Sequence, residues 1–209
     1  METAGLQVFD FDLDGRQDIL FLSRGIAGQP ILMGNFAPII PGGVPQFHDV
    51  TTTVGLLSTG DIGGAVAADF NGDGDQDIFL GKAGGVDGNA SAPVEAFFQS
   101  TQMNSTEETP ANSFYSIDLV SASNANNSMG IGAVVSVYAD GLVDPVGTQQ
   151  VDGGSGRGGQ MDHTLIFGLG NYSVLDEVII TWPNGFQQIE TNLALGSHTT
   201  IFDDTIISI

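Results

Sequence analysis

The sequence predicts an all-β chain, on three observations. Its 209 residues are rich in turn formers, with 30 glycines and 19 aspartates against six glutamates and a single lysine. Aspartate favours turns and loops over helix interiors, and glycine accepts the positive φ that tight turns demand. A ten-residue acidic segment occurs twice, each copy set between short apolar runs. After residue 112 apolar and polar residues alternate, and no segment carries the 3.6-residue period of an amphipathic helix.

The repeat comes first along the chain. Asp10-Phe11-Asp12-Leu13-Asp14-Gly15-Arg16-Gln17-Asp18-Ile19 returns as Asp69-Phe70-Asn71-Gly72-Asp73-Gly74-Asp75-Gln76-Asp77-Ile78, 59 residues later and identical at seven of ten positions. Gln7-Val8-Phe9 and Ile19-Leu20-Phe21-Leu22 flank the first copy; Ala65-Val66-Ala67-Ala68 and Ile78-Phe79-Leu80 flank the second. Each unit reads as strand, acidic turn, strand, and a period of this size suggests a repeated supersecondary unit such as a propeller blade. From about Gly84 to Asn112 the chain turns polar and rich in Ser, Thr, Asn, Gly and Pro, the composition of a linker or long loop. Tyr115, Ile117 and Leu119 then alternate with Ser116 and Asp118, and further strands are predicted over 132–139 and 163–167. Val178 to Trp182 and Phe186 to Ile189 flank Pro183-Asn184-Gly185. Proline presets φ at a turn's first central residue and glycine accepts φ > 0, so this is a predicted hairpin.

The acidic turns carry the chemistry. Asp-x-Asp-x-Asp-Gly-x-x-Asp places oxygens at positions 1, 3, 5 and 9, a carbonyl at position 7, and a glycine at position 6 where the backbone must wrap an ion. Calcium takes six to eight hard oxygen ligands, whereas magnesium keeps its waters and resists all-protein cages. Two calcium sites are therefore expected. The first has Asp10, Asp12, Asp14 and Asp18 with the Arg16 carbonyl; the second has Asp69, Asn71, Asp73 and Asp77 with the Asp75 carbonyl. An EF-hand is excluded, because position 12 is Phe21 or Leu80 instead of glutamate and the flanks are strands. Without a cation, four carboxylates within nine residues would repel one another.

The two repeats resemble FG-GAP/VCBS repeats, the calcium-loop blades also found in integrin α-subunit propellers. The C-terminal part resembles the ASPIC/UnbV domain of the cartilage acidic protein family. Gly130-Ile131-Gly132-Ala133-Val134-Val135, Val151 to Gly156 with Gln160, Phe167-Gly168-Leu169-Gly170, and Trp182-Pro183-Asn184-Gly185 with Gln187 carry that likeness. The resemblance implies partial propeller-like calcium-loop repeats over 1–83, a polar linker or long loop over 84–112, and a β-sandwich-like domain over 113–209. Family propellers use more blades than the two loops here provide. Their sheet edges are thus expected to be covered by another chain, a missing part of the same chain, or the C-terminal domain folding back.

A formal charge of −21, from four basic and 25 acidic residues, argues against nucleic acid or an anionic membrane as partner. No apolar stretch approaches the roughly 20 residues of a membrane span, and with no cysteine there is no thiolate site. Met1-Glu2-Thr3-Ala4-Gly5 lacks the basic and apolar segments of a secretory signal, so either an export signal is missing or the chain is a piece of something longer. Gly154-Ser155-Gly156-Arg157-Gly158-Gly159 matches the dinucleotide fingerprint in form, but no helix follows to bind a phosphate. A nucleophile elbow fails on Arg157. His48, His163 and His198 have no zinc spacing, and glycosylation acceptors occur at Asn89, Asn104, Asn126 and Asn171.

The expected function is that of a non-enzymatic, calcium-binding β module with an adhesive or scaffolding role, extracellular or at the cell surface, where calcium is near millimolar. Its expected partners are a protein or glycan at that surface, or further copies of itself. A structural subunit of an extracellular fibre is the second reading. A polysaccharide-active enzyme or carbohydrate-binding module is the third.

Overall fold

The computed structural model describes residues 2–24, 29–36, 44–57, 62–82, 96–100, 112–121, 126–154 and 161–203. All regular structure among them is β, in four sheets, as the composition predicts. Most of the polar stretch, with Asn89 and Asn104, lies outside the described residues, as does the end of the glycine run from Ser155.

The first repeat is an antiparallel meander in chain order: β1 (Glu2–Phe9), β2 (Asp18–Arg24), β3 (Ile31–Phe36) and β4 (Gln46–Asp49). The second has, among the described residues, three strands: β5 (Ile62–Ala68), β6 (Asp77–Lys82) and β7 (Ala96–Phe98). β7 falls inside the stretch whose composition reads as linker. The repeat extends to backbone detail. The β1–β2 register slips between Thr3 and Gly5, and the β5–β6 register slips between Ile62 and Gly64, at equivalent positions. Leu13 and Gly15 have positive φ, and so do Gly72 and Gly74.

The two sheets stack face to face. Phe9, Leu20, Leu22 and Leu32 of the first meet Ile62, Ala65, Ala67, Ile78 and Leu80 of the second in one buried cluster. Gln7 is drawn into this interface because its Nε2 donates to the Ala65 carbonyl at 3.1 Å, satisfying an acceptor at the edge of β5.

The C-terminal half is a sandwich. One sheet runs β10 (Gly147–Gln150), β9 (Val134–Ala139), β12 (Leu175–Thr181), β13 (Gln187–Thr191); the other runs β11 (Leu165–Gly170), β8 (Ser113–Val120), β14 (Ser197–Phe202). β14 pairs with β8 in parallel, and the other pairs are antiparallel. Tyr115, Ile117, Phe167, Leu169, Val178 and Trp182 are among the side chains filling the space between them. The predicted hairpin forms between β12 and β13: Gly185 N–H donates to the Trp182 carbonyl at 2.8 Å, and Gly185 has φ +86°.

β11 and β8 are buried on both faces. Leu165, Phe167 and Leu169 alternate into the sandwich core, while Ile166 and Gly168 point the other way; in β8, Tyr115, Ile117 and Leu119 oppose Phe114 and Ser116. A strand covered on both faces loses the apolar/polar alternation of a surface strand. What covers the second face is the pair of acidic turns.

Candidate metal centre

Each acidic turn links the first two strands of its sheet, and its carboxylates first organise the turn itself. Asp10 accepts from the N–H groups of Asp14 at 3.1 Å and Gly15 at 2.9 Å. Asp18 accepts from Phe11 at 2.9 Å and from Asn35 on β3 at 2.7 Å. The second turn repeats the scheme: Asp69 accepts from Gly72, Asp73 and Gly74, and Asp77 from Phe70 at 3.1 Å and Ser100 at 2.7 Å. Aspartates 1 and 9 of each loop thus clamp the turn and tie it to the third strand's end, leaving their remaining lone pairs for an ion.

In the first turn Asp10, Asp12 and Asp18 bring one carboxylate oxygen each within 4.8 Å of one another. Asp10 and Asp18 are buried, and Asp12 Oδ1 is buried with no hydrogen-bond partner. Burial without a partner costs a carboxylate dearly, so these oxygens call for a cation or a proton. The ionisation behaviour follows. Burial lifts Asp10 to about 8 against the Gly15 hydrogen bond, with the charges of Asp14, Asp12 and Asp18 adding to the rise. Burial lifts Asp18 to about 7, opposed by the Asn35 and Phe11 N–H groups. Burial and then the Asp14 charge lift Asp12 to about 6. Asp14, also raised by burial, is held by the Arg16 guanidinium, whose Nε donates to the Asn35 carbonyl at 2.7 Å.

The donor set suits a hard cation. Three carboxylates converge, Asp14 sits on the same turn, and Arg16 is positioned to neutralise Asp14 when no ion does. Of the sequence-predicted ligands of the first loop, the structure gathers Asp10, Asp12 and Asp18, and turns Asp14 toward Arg16. In the second loop Asn71 replaces one carboxylate and its Nδ2 donates to Asp73 at 2.7 Å. No three acidic groups of that loop meet as they do in the first. Burial still raises Asp77, opposed by the Ser100 and Phe70 N–H groups, and the Asp75 side chain is fully buried. The histidines stand apart: His48 packs edge-on against Phe36, and His198 Nε2 lies 3.2 Å from Asp118.

Sequence reasoning missed how the turns are seated. The Gly170 N–H donates to the Leu13 carbonyl at 3.0 Å, and Asn112 Nδ2 donates to the Asp12 carbonyl at 2.9 Å. A Cβ added to Gly168 would overlap Asp10 Oδ2 and the Leu13 backbone, and one on Gly74 would overlap the Phe114 ring. Leu13, Phe114 and Ile166 form a small buried cluster between the two halves. One sheet of the sandwich therefore lies across both turns, and Phe167-Gly168-Leu169-Gly170 is the strand that seats the first.

Comparison with known proteins finds the ASPIC and UnbV family model matching residues 123–206, the span from just before β9 through β14. Among curated proteins nothing matches the chain. Residues 123–206, which carry every described strand of the sandwich except β8, are an ASPIC/UnbV domain.

Proposed function

We propose that the chain is a calcium-stabilised β scaffold whose N-terminal half is a pair of FG-GAP/VCBS-type blades, working outside the cell or at its surface without chemistry of its own. One observation carries this reading: the converged Asp10, Asp12 and Asp18, with the buried and unpartnered Asp12 Oδ1 among them. Calcium would sit there, recruiting Asp14 from Arg16 and the Arg16 carbonyl. The second loop would hold another ion through Asp69, Asn71, Asp73 and Asp77 with the Asp75 carbonyl, supported by its matching hydrogen bonds.

Titration calorimetry with calcium and magnesium tests this. Calcium should bind at two sites more tightly than magnesium, and Asp12→Ala should remove one of them. At a hundredfold excess over Kd a native-state ligand adds about 2.7 kcal/mol, here roughly 5–10 °C in Tm. No heat of binding and a melting curve indifferent to calcium and chelator would remove the proposal.

A glycan-binding role is favoured by a different feature. A cleft of about 390 Å³ lies between the halves, lined by the repeat-equivalent Gln17 and Gln76 and by Gln149 and Thr164. Gln76 Oε1 is buried there with no hydrogen-bond partner. An amide-lined cleft suits hydroxyl-rich ligands. Glycan binding that Gln76→Ala weakens would support it; an array with no bound glycan would end it.

A further inference from the structure

The cleft between the two halves is one-sided in its hydrogen bonding. Gln149 Nε2 donates to the Ile166 carbonyl at 2.6 Å, and Gln150 Nε2 donates to the Gly132 carbonyl at 3.2 Å. An amide oxygen could not face a carbonyl in either place, so both Oε1 atoms are left to accept. The Thr164 hydroxyl donates to Asp118 at 2.6 Å and keeps only acceptor capacity. Gln76 Oε1, buried and without a partner, adds another acceptor. All four residues line the cleft.

Two carboxylates extend the pattern. Asp152 and Asp162 line the cleft, and both are exposed. Asp152 Oδ1 accepts from the Gly154 N–H at 3.1 Å, and Asp162 Oδ1 accepts from the Thr164 N–H at 3.4 Å. The second oxygen of each remains open, and a carboxylate offers acceptors alone. Among the described residues no lysine, arginine or histidine lines the cleft. Exposed Gln17 can turn either end of its amide inward and so sets no preference. Leu6 and Val8, each 47% exposed, supply an apolar wall.

A site built this way favours a ligand rich in donors and rejects one that brings acceptors of its own, because an acceptor facing an acceptor loses its water without compensation. Hydroxyl and ammonium groups match it. Uronate, sulfate and the acetamide carbonyl of an N-acetylated sugar do not. We propose that the cleft binds a glycan bearing free amino groups, of the glucosamine type. Its hydroxyls meet Gln76, Gln149, Gln150 and Thr164, its ring lies on Leu6 and Val8, and its ammonium groups meet Asp152 and Asp162. The inference rests on the glycan reading of the cleft, to which it adds the class of sugar, and it does not require the metal reading.

Titration calorimetry of the full chain with the trisaccharides of glucosamine, N-acetylglucosamine and galacturonic acid tests it. The glucosamine trisaccharide should bind about tenfold more tightly than the N-acetylated one, and the galacturonic acid one should give no heat. Asp152→Asn and Asp162→Asn should each weaken glucosamine binding about two- to fivefold and leave N-acetylglucosamine binding unchanged. Asparagine keeps the oxygen that accepts from the turn, so a wild-type Tm is expected of both variants. Asp144→Asn makes the same change of charge at an exposed residue outside the cleft and should alter nothing. Equal affinity for the glucosamine and N-acetylglucosamine sugars, with both cleft variants matching wild type, overturns the inference and leaves the glycan reading standing. No heat from any of the three sugars overturns it too, and a glycan array then decides the broader reading. Spermidine binding as tightly as the glucosamine trisaccharide, with the same loss in the variants, overturns it as well, because the cleft would then recognise charge and not sugar.

Discussion

Leu13 and Gly72 are the same position of the repeat solved in two ways. Leu13 holds φ +58° and is 1% exposed, while Gly72 holds φ +78° in open space. A left-handed conformation costs a non-glycine residue about 1–2 kcal/mol, whereas removing a buried leucine side chain costs about 2–5 kcal/mol. Packing outweighs strain, so Leu13→Gly should destabilise by a net 1–3 kcal/mol, roughly, read from denaturant midpoints. A stabilised variant would mean that Leu13 does not anchor the turn. The carboxylates give a pH signature. Asp10, Asp18 and Asp12 have folded values of about 8, 7 and 6 against an ordinary 3.8. The folded chain then binds protons more tightly than the unfolded one, and without metal its stability must fall as pH rises from 3.8 toward about 8. A cation holds the same groups ionised. The gain in Tm on adding calcium should therefore be larger at pH 8 than at pH 5.5, and equal gains would contradict the site.

Among the elements, β11 is the most exacting, because it packs on core and turn at once. Gly168→Ala places a methyl group against Asp10 Oδ2 and the Leu13 backbone, which cannot yield as a flexible side chain would. Overpacking of this kind costs about 1–3 kcal/mol, so Tm should drop by several degrees, while Gly154→Ala, with no atom near its Cβ, should leave Tm unchanged. Equal melting of the two variants would argue that β11 is not seated as described. In the hairpin, the sequence pattern singles out Gln187, but the buried partner is Gln188. Its Oε1 accepts from Trp182 Nε1 at 3.0 Å and its Nε2 donates to the Phe202 carbonyl at 3.0 Å. The legible parts of this fold are local: the acidic turns, the Pro183-Gly185 hairpin and the alternation in β8 all sit within a few residues of their cause. β7 was illegible because three residues in a polar stretch carry no periodicity, and they become a strand by pairing with β6. The seat of the first turn was illegible for a different reason. Gly168 lies more than a hundred residues from Asp10, and nothing near either residue states that they meet.

At the scale of the molecule, the acidic turns are contact points between two β cores, not isolated surface loops. Loop carboxylates, the Leu13–Phe114–Ile166 cluster and the Gly170–Leu13 hydrogen bond all lie on one surface where the sandwich meets the repeats. The cluster is small beside the cores it joins, so docking depends on the shape of the turns more than on buried area. Mutual repulsion of Asp10, Asp12 and Asp18 should distort the first turn when no cation or proton neutralises them, and a distorted turn should no longer match Gly168. Calcium should then set the cooperativity of unfolding as well as its temperature. Scanning calorimetry in calcium should give one transition, and in chelator at pH 8 two, with the sandwich melting apart from the repeats. Asp12→Ala removes one charge from the cluster together with a candidate ligand. It should therefore respond less to chelator, yet keep its halves coupled better than chelated wild type. Wild type melting in one transition of unchanged width in chelator would show that apolar contacts alone hold the halves together, and that the turns merely lie beneath the sandwich.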